Sequence, residues 1–134
     1  MSLNYSTGTR DAQQQGLITY AGSGAIIHIY DGTQPANANT GVTTQTLLVS
    51  LAIVGTFGTD SNGVITISSV NNGTAVATGT ATWFRITKSD NSTVIMDGSV
   101  GTASADMIFN SVSFVTGDVV SISSGTIKIG RAHV

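Results

Sequence analysis

The sequence has no cysteine and no glutamate, only one proline, and few charges: five basic and seven acidic residues in 134. Because there is no cysteine, the chain cannot make a disulfide, a thiolate zinc site, an iron–sulfur cluster or a thiol nucleophile. Charged residues make up 9% of the chain, against roughly 25% in an ordinary soluble domain. The five basic residues are scattered and the pI is near 5.3, so we expect no nucleic-acid partner.

Long apolar segments are also missing. No stretch approaches the roughly 18 consecutive apolar residues of a membrane-spanning helix, so we expect no membrane partner. The opening residues, MSLNYSTGTRDAQQQ, lack the apolar segment of a signal peptide. The sequence therefore predicts synthesis in the cytoplasm.

Residues that could carry catalysis or metal binding are few. His28 alternates with Ile27 and Ile29, which predicts a half-exposed strand histidine, and His133 is the penultimate residue of a polar tail. Residues 60–63 (DSNG) resemble the opening of a calcium loop, but the acid that should close such a loop is missing. An ordinary turn is the favoured interpretation, and calcium binding there stays open. We predict no enzymatic activity, no metal and no cofactor.

Small, strand-forming residues are plentiful, with serine and threonine among the commonest residues and glycine at 16 positions. Strand-like segments recur at intervals of roughly 8–12 residues, separated by Gly, Asn and Asp turns, which is typical of a sandwich or jelly roll. We predict an all-β fold, a single-domain antiparallel β-sandwich over residues 9–134, preceded by an N-terminal arm, residues 1–8. The predicted strands are residues 25–30, 47–54, 64–70, 75–88, 93–97, 107–115, 119–123 and 126–129.

One segment, residues 9–20 (TRDAQQQGLITY), is a candidate short helix. Thr9 is the candidate N-cap, Asp11 lies in the first turn, and the three glutamines tolerate a helix. Gly16 and the β-branched Ile18 oppose it. We therefore expect at most one short helix before the strands begin.

The strand around Trp83 raises the question of what covers its second face. In an alternating strand Phe84 and Ile86 share one face, whereas Trp83 and Arg85 share the other. One interpretation places Phe84 and Ile86 in the core and Trp83 beneath a loop or the N-terminal helix. The other places Trp83 and Arg85 in a subunit contact, because tryptophan and arginine are enriched at interface hot spots. The sequence leaves both open.

Residues 77–101 (ATGTATWFRITKSDNSTVIMDGSVG) resemble a family of small proteins of tailed bacteriophages and prophages with the pattern ATGTATWxRIxxSDGxxVxDGxVG. Residues 29–36 (IYDGTQPA) resemble the family's strand and turn IYxGTxPA, and the likeness covers most of residues 17–127. The family's N-terminal segment is usually a better helix, and its hairpin turn more often reads Ser-Asp-Gly than the SDNS of residues 89–92. The resemblance implies a virion structural protein with no catalytic residues.

A small β-rich domain of this kind would suit a capsid decoration, or cement, protein on the outer surface of the phage head. Such a protein stabilises the head by bridging subunits of the major capsid protein, typically as a homotrimer. The low charge agrees, since weakly charged sheet edges favour association. The polar arm would order on binding, with Leu3 and Tyr5 as anchors. Together with Trp83 and Arg85, these are the predicted interface residues.

Two other functions stay open from the sequence. A tail, collar or fibre component could bind a host surface carbohydrate, because sugars stack on aromatic rings. Tyr20, Tyr30 and Trp83 are the candidate residues, and their convergence in one groove would favour this alternative. A hydrolase is the third function, but no catalytic constellation is recognisable in the sequence.

Overall fold

The structure is a computed structural model that describes residues 6–61, 64–122 and 126–128. Within these ranges the chain is mostly β-strand with one helix, which confirms the all-β prediction at that level. The helix, α1, spans Thr7–Ala21. The strands are β1 (Ile26–Tyr30), β2 (Leu47–Ala52), β3 (Gly58–Ser61), β4 (Val64–Ile67), β5 (Gly73–Thr74), β6 (Gly79–Thr80), β7 (Trp83–Thr87), β8 (Val94–Gly101), β9 (Met107–Ile108), β10 (Ser113–Phe114), β11 (Val119–Val120) and β12 (Thr126–Lys128).

The largest sheet has five strands in the order β2-β1-β7-β8-β9. The smaller sheets pair β10 with β6, β11 with β5, and β4 with both β12 and β3. Among the described strands the pairs are antiparallel except β8 and β9, where Val100 lies opposite Met107 in a parallel pair. The prediction of a purely antiparallel fold is wrong there, because the chain loops back between the two strands. Ser104 has a φ of 51° in that loop, and Asp106 Oδ2 accepts a hydrogen bond from the Ser99 N–H at 2.9 Å.

The apolar core lies against one face of the five-stranded sheet. Ile27 and Ile29 of β1 lie opposite Leu51 and Val49 of β2, and Phe84 of β7 lies opposite Ile29. The helix, the smaller sheets and the residues that flank them add Ala21, Phe57, Ile65, Ala75, Phe114 and Val120 to the same buried cluster. Because a fully buried aliphatic or aromatic side chain contributes about 1.5–3 kcal/mol, this cluster holds the sheets together.

The predicted strand at residues 75–88 is divided between two sheets. β6 pairs with β10, whereas β7 pairs with β1 and β8. Between them the Ala81 N–H donates to the Val112 carbonyl at 2.8 Å, and the Thr82 N–H donates to the Tyr30 carbonyl at 3.0 Å. The chain thus changes partner sheets without a turn residue, which is why the sequence predicted one strand.

β8 runs through the Asp97–Gly98 pair, where the sequence predicted a strand end. Gly98 lies opposite Phe84, and a Cβ atom at Gly98 would lie 2.4 Å from Cε1 and Cζ of that ring. Glycine is needed here because the ring packs onto the strand backbone, not because the chain turns.

The helix exists, but it begins earlier than predicted. Its N-cap is Ser6, whose Oγ accepts a hydrogen bond from the Thr9 N–H at 3.1 Å, so the prediction of Thr9 as the cap is wrong. Gly22, with a φ of 69°, ends the helix, which packs against β3 and β4. The last residues of the predicted arm therefore belong to the helix, whereas Leu3 and Tyr5 lie outside the described residues.

Candidate functional site

A row of polar side chains crosses four adjacent strands on the face of the sheet opposite the core. The register places Ser50 opposite His28, His28 opposite Arg85, and Arg85 opposite Asp97. Because successive strand residues point to opposite faces, the neighbours of this row in each strand point into the core. We call the face that carries these four residues the polar face.

Arg85 and Asp97 form a buried ion pair in this row. Nε of Arg85 donates to Oδ1 of Asp97 at 2.7 Å, Nη2 donates to Oδ2 at 2.9 Å, and each side chain is 5% exposed. Nη2 also donates to the carbonyl oxygen of Thr40 at 2.7 Å, whereas Nη1 takes part in none of these bonds. The hydrogen bond with Asp97 raises the pKa of Arg85 above its ordinary value, so the guanidinium stays charged.

His28 is buried rather than half-exposed as the sequence predicted, because hydroxyl groups satisfy both ring nitrogens. Nδ1 lies 3.0 Å from Ser50 Oγ, and Nε2 lies 3.0 Å from Thr87 Oγ1. Since the Thr87 hydroxyl donates to the Lys88 carbonyl at 3.0 Å, it accepts from Nε2–H, and Nδ1 accepts from the Ser50 hydroxyl. Burial, and secondly the positive charge of Arg85, lower the pKa of His28, so the ring is neutral at neutral pH.

Trp83 is fully buried beneath a loop of its own chain, which agrees with the first of the two interpretations. Its Nε1 donates to the Asp31 carbonyl at 3.0 Å, and the Tyr30 ring stacks on the indole with centroids 4.6 Å apart. The Arg85 guanidinium carbon lies 5.3 Å from the indole centroid. A subunit contact at Trp83 and Arg85 stays a prediction, and a partner would reach them through the covering loop, residues 31–46.

The covering loop is tied to itself where it begins and ends. The Asp31 N–H donates to the Thr46 carbonyl at 3.1 Å, and the Thr46 N–H donates to Asp31 Oδ1 at 2.6 Å. Nε2 of Gln45 donates to the Thr33 carbonyl at 2.5 Å. The loop is therefore a defined lid on the polar face, although it contains no helix or strand of its own.

A cavity of about 260 Å³ lies over the polar face. Its lining includes residues of the polar face (His28, Ser50 and Arg85), of the covering loop (Val42), and of the hairpin between β7 and β8 (Asn91 and Ser92). Arg85, the one charged residue of this lining, is thus both buried in the sheet and open to the cavity. This combination of a shaped space and fixed polar groups makes the cavity the candidate functional site.

The hairpin at the rim of the cavity is fixed by Asp90. Its Oδ1 accepts hydrogen bonds from the N–H groups of Ser92 at 2.9 Å and Thr93 at 2.8 Å, and its Oδ2 accepts one from the Thr93 hydroxyl. The Thr93 hydroxyl is the largest cause, and the two N–H groups the next, of a pKa of Asp90 lowered to about 2. Asn91 follows with a φ of 66°, a conformation that asparagine tolerates better than most residues.

The three aromatic residues suggested for carbohydrate binding do not converge in one groove. Trp83 is buried and in contact with Tyr30. Tyr20 lies on the helix instead, with Nζ of Lys88 3.9 Å from its ring centroid. The condition set from the sequence for an aromatic sugar-binding groove is therefore not met among these residues.

The suggested calcium loop falls partly outside the described residues, because residues 62–63 are not among them. Asp60 accepts a hydrogen bond from Nε2 of Gln15 through its Oδ1. In residues 6–61, 64–122 and 126–128 no three acidic or histidine side chains lie close enough together to hold a metal ion.

The sequence predicts that Trp83 and Arg85 share one face, but it does not predict Asp97 and Ser50 as their neighbours in the site. Asp97 is the last residue of the predicted strand 93–97, and Ser50 lies within the predicted strand 47–54. Both become visible only through the register of neighbouring strands. The alternation of β2, which leaves Ser50 outward between Val49 and Leu51, was the available signal.

No family model, no curated protein and no solved structure matches this chain. In the described part of the chain, no helix combines the length and apolar character needed to cross a membrane.

Proposed function

We propose that this protein is a bacteriophage virion structural protein that decorates the outer surface of the head. It would stabilise the head by bridging subunits of the major capsid protein through surface contacts alone. The observation that carries the proposal is the hairpin sequence of residues 77–101, with its resemblance to the phage family. The low charge of the chain supports it, since a protein that functions inside an assembly has less need of charge for solubility.

An exposed apolar patch offers a surface suited to such contacts. Val76, Val115 and Val119 are 65%, 55% and 71% exposed. They lie on adjoining segments, since the Ala75 N–H donates to the Asp118 carbonyl at 2.8 Å. Exposed apolar side chains that cluster mark interaction surfaces, whereas single ones are ordinary. We call these three residues the valine patch and propose that it faces the shell.

We also propose that the sheets form the two layers of a β-sandwich and that the protein assembles as a homotrimer. The sandwich is supported by the core, which the five-stranded sheet and the smaller sheets share. Self-association is supported by a net charge of only −2. Leu3 and Tyr5 would anchor the N-terminal arm on a neighbouring subunit.

Copy number per particle tests the head location. Quantitative mass analysis of purified virions should find hundreds of copies if the protein covers the capsid lattice. A count between three and a few dozen would overturn the proposal and favour the alternative, a tail, collar or fibre component.

Paired variants test the valine patch. Val115→Ser combined with Val119→Ser should weaken co-sedimentation with heads that lack the protein by at least about tenfold, because burying each valine is worth about 1.5 kcal/mol or more. Val54→Ser is the matched control, since Val54 is also half-exposed but lies outside the patch. Equal binding by the double variant and the control would contradict the assigned surface.

A further inference from the structure

The cavity over the polar face has the size of a site for one small ring. Its volume of about 260 Å³ is just below the roughly 300–1,000 Å³ of pockets for drug-sized ligands. We propose that it binds a single uncharged, hydroxyl-rich ring, such as one monosaccharide unit, with Arg85 and Ser50 as the polar contacts. This goes beyond the proposed function, because decoration through surface contacts requires no ligand site.

The polar contacts are held in place before any ligand arrives. Arg85 is fixed by two hydrogen bonds to Asp97 and one to the Thr40 carbonyl. These bonds use Nε and Nη2 and leave the donors of Nη1 for a ligand. Ser50 is fixed by its hydrogen bond to His28 at 3.0 Å. A ligand therefore pays little ordering entropy in these side chains.

The charge balance of the site favours an uncharged ligand. The positive charge of Arg85 is already paired with Asp97. The neighbouring His28 is neutral, since burial and Arg85 lower its pKa. An anion would bring a second negative charge to a guanidinium that is already neutralised, and an amine would meet that guanidinium directly.

The hydrogen-bonding groups match hydroxyls. The Ser50 hydroxyl donates its hydrogen bond to Nδ1 of His28, so its oxygen is left to accept a hydrogen bond from a ligand. Nη1 of Arg85 can only donate. A vicinal pair of hydroxyl groups satisfies both, because each hydroxyl donates and accepts. At the rim, Asn91 adds an amide that can do either.

The remaining wall is suited to the C–H surface of a ring. Tyr30 lines the cavity, and its ring is held by stacking on Trp83. Leu47 and Val94 add aliphatic surface. Sugar rings have both hydroxyl edges and apolar C–H faces, and this wall offers a partner to each. Of the three aromatic residues considered from the sequence, only Tyr30 belongs to this lining.

Saturation-transfer-difference NMR on the full chain tests the inference. The probes are glucose, galactose, mannose and N-acetylglucosamine, each also as its methyl glycoside, with sodium phosphate and sodium acetate as anionic probes. We expect transfer to at least one neutral sugar with millimolar affinity. Retained binding of the methyl glycoside identifies the end of a longer glycan as the source, and its loss identifies a free sugar.

Two variants and a control locate the site. Ser50→Ala removes the acceptor, and Asn91→Gly removes the rim amide while keeping a residue that adopts the φ of 66° without strain. Each should weaken binding about fivefold, the equivalent of one net hydrogen bond. Ser121→Ala, at an exposed serine outside the cavity, should leave it unchanged.

Three results would overturn the inference: no transfer to any neutral sugar, binding that neither site variant weakens, or binding of phosphate or acetate in place of sugar. Co-sedimentation of the Ser50→Ala variant with heads distinguishes a failure of this inference from a failure of the proposed function. If the variant no longer binds sugar but still co-sediments with heads, sugar binding and head association are independent activities.

Discussion

Removing Asp97 should leave a buried, unpaired guanidinium and destabilise the fold strongly. In Asp97→Ala, Arg85 loses two charge-assisted hydrogen bonds, of 2.7 and 2.9 Å, while only 5% of its side chain is exposed. Breaking a buried pair from one side costs about 3–5 kcal/mol. This is a large share of the roughly 5–15 kcal/mol by which domains are stable, and at about 3–5 °C per kcal/mol it lowers Tm by roughly 10–25 °C.

The chain carries its own probe for this measurement. Trp83 is the single tryptophan, it is fully buried, and the Arg85 guanidinium lies 5.3 Å from its ring. Its fluorescence during urea unfolding gives the free energy of unfolding, and an unchanged slope m shows that the variant unfolds from the same compact state.

A second variant separates the unpaired charge from lost packing. Arg85→Met combined with Asp97→Leu removes both charges and keeps the buried volume, and such replacements are often neutral or stabilising. We expect the double variant to lie within about 1.5 kcal/mol of the wild-type protein, well above Asp97→Ala. A loss of less than about 1 kcal/mol in Asp97→Ala, the size expected for an exposed pair, would refute this prediction. It is also refuted if the double variant is as unstable as Asp97→Ala.

Three further changes should be measurable by the same urea unfolding. Gln14→Leu should stabilise the fold by about 1–3 kcal/mol, because Gln14 is fully buried and neither amide atom has a hydrogen-bond partner among the residues that the structure describes. A loss of stability would mean that the amide is satisfied in solution. Gly98→Ala should destabilise by about 1–3 kcal/mol through its clash with the Phe84 ring. The matched change Gly16→Ala, at an exposed helix position with no atom in the way, should stabilise by about 0.5–1 kcal/mol; equal effects would contradict the steric argument. The pKa of His28 is lowered in the fold, so as the pH falls the unfolded chain binds a proton before the folded chain does. The free energy of unfolding should therefore decrease as the pH drops below about 6.5. His28→Asn should reduce this pH dependence between pH 7 and 5, and an unchanged dependence would assign it to other groups.

Short-range patterns predicted which residues share a face, because the strand repeat of two residues needs only local sequence. That repeat placed Trp83 with Arg85, and Phe84 with the core, as the structure has them. It could not predict the ion pair. Counting back from the hairpin turn would place Met96 opposite Arg85, but an irregularity between Ile86 and Thr87 shifts the register by one residue. A shift of one residue moves every side chain of the strand to the other face.

Gly98 of β8 has two possible interpretations in the sequence. An Asp-Gly pair marks a turn where the backbone needs a positive φ, and it marks a close approach where a neighbouring group lies on the backbone. At Gly98 the second reason applies, and the deciding group is the Phe84 ring on the adjacent strand. The sequence around Gly98 contains nothing that distinguishes the two, so strand 93–97 was predicted too short.

The helix shows how packing overrides weak local preference. Gly16 and Ile18 disfavour a helix, yet α1 extends over Thr7–Ala21. Leu17 and Ile18 pack against the core, and Ala21 belongs to it. Because most helical stability in proteins comes from such packing, the helix is longer than its own residues predict.

The ion pair buried in the polar face calls for an explanation other than stability, since apolar side chains of the same volume would be about as stable. Two neighbouring residues on this face, Arg85 and Trp83, hydrogen-bond to the covering loop: Arg85 donates to the Thr40 carbonyl and Trp83 donates to the Asp31 carbonyl. An apolar side chain at either position could fill the space but could not hold a loop carbonyl at a fixed point. The polar face therefore positions the loop over the sheet, and by doing so it defines the cavity between them. Substitutions that remove these polar side chains without unfolding the protein should therefore weaken ligand binding in the cavity more than they weaken assembly.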